Sequence, residues 1–432
     1  MRSQRIFQVS NIFHQCIFLS FMKSKFLSLL FVALTAPIYA SEGLYNTGAE
    51  LVEGLPLKWS LSTNTIYDDN VAAGSSTTAD SSLAISPNLG LSYTSDDPQS
   101  SQTTIDILGK IGIIHYFDAP DTLADDTFSQ SRISGSLNHR FDERLTFRSQ
   151  NTMANELEPD YSYGTASSRS GNESLSWLSD NSLGYRWSER YATYTGVKYS
   201  GNRVDSTGPN NNDRTTIEGY NQIRYQLSQQ SVLTSDYRAS TTDATGVASD
   251  SVDQYFLVGV DHRFSSSTVG IFKTGAQYRE VDQGDSNLGP YLEIAFKSQV
   301  NQQLTLNAFT RYSAEVNDTV LPGPGTSFDY EDRRALRIGS TASYIVSPDL
   351  SLLSGMDLIF SDYLEGRDVS NPTTYGPDKY ETSVNAYVGF SCRLTEFLTA
   401  NMYYTFAETF TDISDAREYV RNRISIGLSA EF

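Results

Sequence analysis

Apolar and polar residues alternate along most of this chain. In the last segment, Arg421 to Phe432, every second residue from Ile424 onward is apolar. These residues are Ile424, Ile426, Leu428, Ala430 and Phe432. Side chains alternate faces along an extended strand, so this segment has one apolar face and one polar face. The pattern predicts a β-strand whose apolar side is covered by something other than water.

The same alternation recurs from Leu57 to the end of the chain. It forms about eighteen segments. Short connections between them alternate with longer polar ones along the chain. Examples are Ser82 to Thr94, Thr268 to Val281, Pro290 to Lys297 and Leu304 to Val316. An even number of antiparallel strands returns both ends of the sheet to one side and places the long connections on the other. We therefore expect an all-β protein, an up-and-down antiparallel transmembrane β-barrel of about 18 strands, within a range of roughly 16 to 18.

Gly, Pro, Asn and Asp mark the connections between these segments. Asp142-Glu143 is typical of a tight turn, and Val204 to Asp213 (VDSTGPNNND) is typical of a long loop. Asn317 to Asp332 contains Pro322-Gly323-Pro324-Gly325, a sequence that a strand interior would not accept. We expect this segment to be a loop.

Lipid is the covering layer that the composition favours. Hydrophobic residues make up 39% of the chain, which is too polar for a bundle of membrane helices, and no run of transmembrane-helix length follows the first forty residues. A closed sheet is then the remaining way to span a membrane. The alternative is a soluble β-sandwich, propeller or solenoid, but the sequence shows no blade signature, no fixed short repeat and no interdomain linker after Leu57.

Residues 1 to 40 have the features of a leader that is removed on export. Lys23 and Lys25 precede the apolar run Phe26 to Ala33, and Ile38-Tyr39-Ala40 offers a cleavage site, as in a secretory signal peptide. We expect translation to start at Met22. Residues 41 to 56 would then form a short periplasmic segment, and residues 57 to 432 the barrel domain.

The last strand also carries a family resemblance. A terminal aromatic residue preceded by apolar residues at every second position resembles the closing strand of bacterial outer-membrane β-barrels. Phe432, Leu428 and Ile426 match that pattern, whereas Ala430 departs from it because a larger residue is commoner there. The resemblance implies an outer-membrane location, contact with outer-membrane lipid, and recognition of this strand by the barrel-assembly machinery.

Two short motifs resemble a narrower family. Tyr67-Asp68-Asp69-Asn70-Val71 ends the first strand, and Arg421-Asn422-Arg423 lies in the last one. Both are similar to motifs of β-barrel porins that are often found with exopolysaccharide export systems. This resemblance implies an outer-membrane barrel concerned with the passage of a polysaccharide or another polar solute. Locally, the Asp-Asp-Asn sequence is also typical of the start of a turn.

If the apolar face meets lipid, the residues of opposite parity line a lumen. The candidate lumen residues are Arg132, Arg140, Arg148, Arg186, Glu218, Arg224, Arg311, Glu315, Arg337, Asp357, Glu381, Arg393 and Arg423. In one interpretation these charges pair across neighbouring strands and hydrate a wide interior. In the other, a basic wall beneath acidic loops selects ions, because a ring of one sign sets ion preference.

The sequence argues against several function classes. Lys and Arg total 32 against 51 Asp and Glu, a net charge of -19, so the basic excess that favours nucleic-acid binding is missing. His115, His139 and His262 have no metal-ligand spacing, and no cofactor fingerprint is present. Nothing positions a nucleophile beside a base. We therefore expect no enzyme activity, no metal and no cofactor.

The function that the pattern favours is passive passage of polar solutes through an outer-membrane pore, with a link to exopolysaccharide export as the finer hypothesis. A barrel of this size can hold an aqueous channel. The alternative is a non-conducting barrel whose extracellular loops act as a surface scaffold or adhesin.

Overall fold

Extended strands dominate the structure, which is a computed structural model of the chain. It describes residues 57–432 except 72–79, 96–101, 120–122, 124, 158–172, 205–212, 246–249, 283–285, 317–319, 324–325, 331, 365, 369–375 and 414–417. The expected leader, the start at Met22 and the segment 41–56 lie outside the described residues. No helix in the described part of the chain is long and apolar enough to cross a membrane.

The alternating segments form strands close to the predicted bounds. The strands are β1 Leu57–Asp68, β2 Ser82–Thr94, β3 Thr103–Tyr116, β4 Thr127–Arg140, β5 Leu145–Glu156, β6 Ser174–Arg186, β7 Tyr191–Val204, β8 Arg214–Gln226, β9 Ser231–Ala244, β10 Ser251–Ser265, β11 Thr268–Val281, β12 Ser286–Gln299, β13 Leu304–Val316, β14 Val320–Gly323, β15 Thr326–Asp329, β16 Asp332–Ser347, β17 Leu350–Leu364, β18 Arg367–Asp368, β19 Lys379–Arg393, β20 Leu398–Thr411 and β21 Tyr419–Glu431. Three of the four example segments have the predicted bounds, and the fourth, Pro290 to Lys297, extends to Ser286–Gln299.

Eighteen of these strands form one closed antiparallel sheet. Each pairs with the next barrel strand in the chain, and β21 pairs with β1 in a ladder that runs from Ser60 opposite Glu431 to Asp68 opposite Arg423. Closure leaves no free sheet edge, so the main-chain groups of the wall are satisfied within the wall. The predicted β-barrel and its strand number are confirmed.

The two ends of the barrel differ in their connections. At the end that contains Leu57 and Glu431, which we call the turn end, neighbouring strands are joined by short turns such as the one between Ser265 and Thr268. The opposite end, which we call the loop end, carries most of the longer connections. Bacterial outer-membrane barrels place short turns in the periplasm and longer loops outside the cell, which gives the orientation of this barrel.

The outer face of the barrel is apolar and exposed. Trp59, Ile133, Val258 and Leu288 are 50%, 58%, 60% and 70% exposed, and similar side chains recur around the circumference. A soluble protein does not leave a continuous apolar band of this extent in water. Together with an even number of strands and a closed wall, the band places the protein in the bacterial outer membrane.

One expected loop contains strands. Within residues 317–332, β14 and β15 form a short hairpin, and β18 adds to it to make a separate three-stranded sheet. The prediction of a loop without strand structure around Pro322-Gly323 was therefore wrong. The physical reason is that β14 is an edge strand with β15 as its one partner in this sheet, and an edge strand tolerates a residue that cannot donate a main-chain hydrogen bond.

Candidate functional site

The candidate site is the inner wall of the barrel, and cross-strand pairs between glycine and an aromatic ring shape it. Directly opposed pairs are Gly184 with Tyr194, Gly196 with Tyr220, Gly339 with Phe309, Gly355 with Tyr387, and Gly389 with Tyr403. A Cβ atom added to any of these glycines would lie 2.1 to 2.5 Å from the opposing ring. Each ring therefore lies against the wall over its glycine.

Many charges on the inner wall are paired. The ion pairs are Arg132 with Glu156, Arg224 with Asp261, Lys273 with Asp236, Arg238 with Glu293, Arg279 with Asp253, Arg311, Arg333 and Arg337 with Glu315, and Arg421 with Asp68. Most of these pairs join different strands. These pairs are the kind of contact that the first interpretation describes, in which inward charges pair across neighbouring strands.

A cluster of buried charges surrounds Glu315 near the loop end of β13. Arg333 Nη2 donates to Glu315 Oε2 at 2.7 Å, and Arg337 donates from Nε at 2.8 Å and from Nη2 at 2.8 Å. Arg311 Nη2 donates to Glu315 Oε1 at 3.1 Å. The side chains of Arg333 and Arg337 are 2% exposed, and that of Glu315 is 8% exposed. Charges held so far from water depend on one another, since each alone would be costly to bury.

A second network crosses β9 to β12 nearer the middle of the wall. Lys273 Nζ lies 2.9 Å from Asp236 Oδ2, and Arg238 Nη2 lies 3.8 Å from Glu293 Oε2. Tyr291 Oη donates to the same Glu293 oxygen at 2.8 Å, and the Arg238 guanidinium lies 5.9 Å from the centre of the Tyr291 ring. The network holds long side chains close to the sheet. We call barrel strands β9 to β13, β16 and β17 the dense wall.

The inner face of β3 to β8, which we call the open wall, is more accessible. Arg132 donates to Glu156 from Nε at 2.9 Å and from Nη2 at 2.7 Å, but these side chains remain 23% and 24% exposed. Arg148 lies 5.4 Å from the centre of the Tyr194 ring. Tyr220 Oη donates to Asp180 at 2.7 Å. This wall offers planar aromatic, hydroxyl and charged groups to whatever fills the lumen.

The loop end of the lumen is apolar on one side. Inward-facing residues of β1 to β4 form a buried cluster with residues that follow β1, β3 and β5. Its members are Ile66, Val71, Ala84, Ile114, Tyr116, Leu123, Phe128 and Leu157. The Tyr116 and Phe128 rings meet edge to face, with centres 6.4 Å apart. Val71, Leu123 and Leu157 therefore pack against the inner wall at this end and narrow the mouth there.

The two short motifs contact each other across the seam between β1 and β21. Arg421 Nε donates to Asp68 Oδ1 at 3.0 Å, and its Nη2 donates to Asp68 Oδ2. Asn422 donates to Asp69 from its main-chain nitrogen at 2.6 Å and from Nδ2 at 2.7 Å, and Asn70 Nδ2 donates to the carbonyl of Val420 at 3.0 Å. Asp68 is fully buried. We call these contacts the seam clasp.

The predicted lumen residues fall into distinct environments. Arg311, Glu315 and Arg337 come together in one cluster, while Arg132 and Arg224 form separate ion pairs. Asp357 and Glu381 are buried on β17 and β19. Glu218, Arg148 and Arg423 are half-buried, and Arg140, Arg186 and Arg393 are exposed at the turn end.

Sequence reasoning missed several members of the networks. They are Asp68, Asp236, Arg238, Asp253, Lys273, Arg279 and Arg333 as ion-pair partners, and Tyr291 as a hydrogen-bond donor. For most of them the available signal was position along the strand, because they alternate with the apolar residues and so lie on the face that points into the barrel. Asp68 gave a different signal, because its position at the end of β1 was also typical of a turn.

The proposed assembly signal lies at the turn end of the seam. Phe432 exchanges main-chain hydrogen bonds with Trp59, at 3.0 Å and 2.8 Å. Its ring is 68% exposed and stacks on Phe397, with centres 6.4 Å apart. Leu428 and Ile426 face outward on the same strand. Recognition of these residues by the assembly machinery stays a prediction. Among the described residues, no group of three or more His, Cys, Asp or Glu side chains is arranged to hold a metal ion.

Comparisons with known proteins add little to this geometry. No protein-family model matches the chain, and no curated protein matches it. Similar solved structures include OccK2 (OpdF) of Pseudomonas aeruginosa, at 12% identity and a TM-score of 0.46, with 87% of this chain and 98% of that chain covered. A BenF-like porin from Pseudomonas fluorescens Pf-5 is 13% identical with a TM-score of 0.45, over 87% and 98% of the two chains. OccAB3 of Acinetobacter baumannii is 11% identical with a TM-score of 0.44, over 87% and 99%.

At these TM-scores the likenesses carry no argument about this chain, so the fold assignment depends on its own closed ladder. The resemblance to porins of exopolysaccharide export systems finds no support among the comparisons.

Proposed function

We propose that this protein is a passive outer-membrane pore for polar solutes. The observation that carries the proposal is a closed ring of eighteen strands whose inner face is polar and whose outer face is apolar. Barrels of about 16 to 18 strands are wide enough to leave an aqueous channel. A polar inner face is hydrated, and hydration is what a path for polar solutes requires.

The paired charges indicate which solutes such a pore would favour. Several buried cations of the dense wall lie beside a carboxylate, as Lys273 does beside Asp236 and Arg279 does beside Asp253. Paired charges leave the wall with little net charge, so selection between anions and cations would be weak. Polar solutes that form hydrogen bonds are then the expected class. A polymer such as a polysaccharide, or its fragments, is the finer hypothesis and would need the same hydrated path.

The loop end is where we expect resistance to passage. Val71, Leu123 and Leu157 pack against the inward-facing residues of β1 to β4, so the mouth is narrower on that side. At the turn end Arg140, Arg186 and Arg393 are exposed. The proposal is therefore a pore with a wide periplasmic entrance and a narrower external mouth.

Planar-bilayer recording tests the pore. Folded, purified protein is expected to give discrete conductance steps, with a small reversal potential in asymmetric salt because the wall charges are paired. Folding is checked by the mobility difference between boiled and unboiled samples on a gel. Repeated absence of steps from folded protein would contradict the pore and favour the second candidate, a non-conducting scaffold or adhesin. The specific observation that favours that candidate is the inward packing at the loop end.

Two partners follow from the same proposal. Outer-membrane lipid would cover the apolar band, and the barrel-assembly machinery would recognise the last strand through Phe432, Leu428 and Ile426. Substitution of Phe432 by Ser is expected to lower the amount of barrel in the outer membrane. The matched control is Phe397→Ser, which alters the stacking partner of Phe432 and leaves the last strand intact. Equal losses for both variants would contradict a recognition role.

A further inference from the structure

Three histidines share one arrangement on the outer face of the barrel. His115, His139 and His262 each lie on a strand directly opposite a hydroxyl residue, Thr127, Thr103 and Ser231 respectively. In each pair the hydroxyl oxygen lies 2.7 to 2.9 Å from the histidine Nδ1 atom. Two of these pairs lie at opposite ends of β3 and β4 and the third joins β9 and β10, so the same geometry recurs at three separate places in the sheet.

An aromatic ring completes each arrangement. The residue two positions after each histidine is Phe117, Phe141 or Phe264, and it meets the imidazole edge to face with centres 5.2, 4.4 and 4.6 Å apart. These phenylalanines are 56%, 54% and 61% exposed. They lie at the ends of β3, β4 and β10, where the aromatic girdles of a membrane barrel contact the lipid headgroup region.

In His139 and His262 the described part of the chain supplies the second ring nitrogen, Nε2, with no hydrogen-bond partner. Nδ1 is the imidazole nitrogen nearer the backbone, and in His139 and His262 the cross-strand hydroxyl engages it. Nε2 is the ring nitrogen farther from the backbone, and in both histidines it is not buried. A polar atom placed among lipids without a partner is costly. The surroundings must therefore supply one.

Lipid chemistry decides what that partner is. The glycerophosphate region of a phospholipid is rich in phosphate and ester carbonyl oxygens, which accept hydrogen bonds. When the hydroxyl donates to Nδ1, the proton of the neutral ring is on Nε2, which then acts as a donor. His139 and His262 both lie at the turn end, so in this tautomer both have such a donor at the periplasmic leaflet. His115 lies at the loop end and differs from them: Thr127 Oγ1 donates to Asp126 Oδ1 at 2.9 Å, so His115 Nδ1 is the donor to Thr127 and its Nε2 carries no proton in the neutral ring.

We propose that His139 and His262 are binding sites for phospholipid glycerophosphate oxygens, with Nε2 as the donor and Thr103 and Ser231 as positioning residues. The proposal rests on membrane insertion of the barrel and not on its conductance. Trp187, at the turn end after β6, provides an internal contrast. Its Nε1 donates to Thr193 Oγ1 at 2.9 Å, so its polar atom is satisfied within the protein and needs no lipid.

Solid-state NMR on the full barrel tests the proposal. Protein with ¹⁵N-labelled histidine is placed in phosphatidylglycerol bilayers, and dipolar contacts are measured from the imidazole nitrogens to lipid ³¹P and to ¹³C-labelled ester carbonyls. Nε2 of His139 and His262 is expected to show a contact with one of these nuclei, and Nδ1 is expected to show none. The nucleus that gives the contact identifies the accepting oxygen. Contacts with water protons alone would overturn the proposal.

Variants and a soluble anion separate the remaining explanations. Thr103→Val is expected to abolish the contact of His139 and keep that of His262, and Ser231→Ala is expected to do the reverse. Unchanged contacts in both variants would overturn the positioning role. The same ¹⁵N shifts produced by inorganic phosphate in maltoside micelles would overturn the assignment to lipid.

Heat unfolding gives a second readout that does not depend on labelling. The double variant His139→Gln, His262→Gln is expected to unfold at a lower temperature than the wild type in phosphatidylglycerol bilayers, and at the same temperature in maltoside micelles. Thr193→Val, which removes the acceptor of Trp187, is the control and is expected to have the same effect in both media. An equal loss for the double variant in bilayers and micelles would show a role in packing and overturn lipid binding.

Discussion

The dense wall and the open wall contain the same residue types in different surroundings. On the dense wall the side chains of Asp236, Asp253 and Glu315 are 4%, 5% and 8% exposed. On the open wall Arg132 and Glu156 pair while remaining 23% and 24% exposed. A buried pair is sensitive to the loss of one partner, because the other charge is left away from water. An accessible pair is not, because water replaces the partner.

This difference suggests a division of tasks within one ring of strands. The dense wall stabilises the barrel through buried ion pairs, because separating these charges away from water costs free energy. The open wall presents its groups to the lumen at little structural cost, so it is the part that solutes would contact. Substitutions that affect stability and substitutions that affect passage should therefore fall on different strands.

The largest expected effect is on the dense wall. Glu315→Gln leaves Arg311, Arg333 and Arg337 without their shared carboxylate, and we expect the free energy of unfolding to fall by about 3–5 kcal/mol. Glu156→Gln, the matched change on the open wall, should cost about 0–1 kcal/mol. Urea unfolding in lipid bilayers measures both values. Equal losses for the two variants would remove the distinction between the walls.

The seam clasp should behave like the dense wall. Asp68→Asn removes the charge that faces Arg421 while leaving the side-chain contacts of Asp69 with Asn422 and of Asn70 with Val420. We expect a loss of about 1.5–3 kcal/mol. The temperature at which unboiled protein loses its fast gel mobility reports the change. The double variant Asp68→Arg, Arg421→Asp should recover part of the loss suffered by Asp68→Arg alone. Absence of any recovery would mean that the pair is not coupled.

Two glycines sharpen the comparison of the walls. Gly339→Ala on the dense wall places a Cβ atom 2.1 Å from the Phe309 ring and 2.4 Å from Asp357 Oδ1, and we expect it to cost about 1–3 kcal/mol. Gly184→Ala on the open wall meets Tyr194 Cε1 at 2.5 Å and Thr146 Oγ1 at 2.8 Å, but both side chains can turn into the lumen. It should cost less stability and should lower the single-channel conductance.

The control for both glycine variants is Gly219→Ala. Gly219 has no atom within 4 Å of an added Cβ, so neither stability nor conductance should change. A loss of stability in Gly184→Ala as large as that in Gly339→Ala would contradict the freedom of the Tyr194 ring.

The smallest expected effect lies in a turn outside the membrane. The main-chain N–H groups of Arg144 and Leu145 donate to the Asp142 carboxylate and lower its pKa from the ordinary value of 3.8. A carboxylate with a lowered folded pKa stabilises the fold above its unfolded pKa, and this contribution disappears as pH falls through the folded value. Asp142→Asn should therefore flatten the acid side of the stability profile below 3.8. Unfolding measured against pH in that window checks it, and an unchanged acid limb would contradict the prediction.

The strands were predictable because alternation is a local property of the sequence. Thr268–Val281 and Leu304–Val316 could be bounded from their side chains alone. Inward parity also placed Arg140 and Arg337 on the same face. It could not show that Arg337 is 2% exposed beside Glu315 while Arg140 is exposed at the turn end. Burial depends on depth in the barrel and on neighbours that register brings together.

The seam clasp shows the same limit. Asp68 and Arg421 lie 353 positions apart, and no local pattern relates them. Each motif could be recognised separately as a short resemblance, but their contact follows from closure of the ring. The hairpin of β14 and β15 was missed for a related reason. Pro322 is tolerated because β14 lies at the edge of its sheet, and whether a strand lies at an edge depends on the other strands and not on its own sequence.

The hydrogen bonds between Trp59 and Phe432 bring two distant parts of the chain side by side at the turn end. A short peptide could join these positions as an ordinary hairpin turn, and a new pair of termini could be opened between Ser265 and Thr268. In such a circular permutant β1 and β21 would become sequence neighbours. The pairing of β1 with β21 joins the two ends of the barrel sequence, and in the permutant it would become a local hairpin. The entropy cost of closing a long loop would then no longer slow the formation of this pairing.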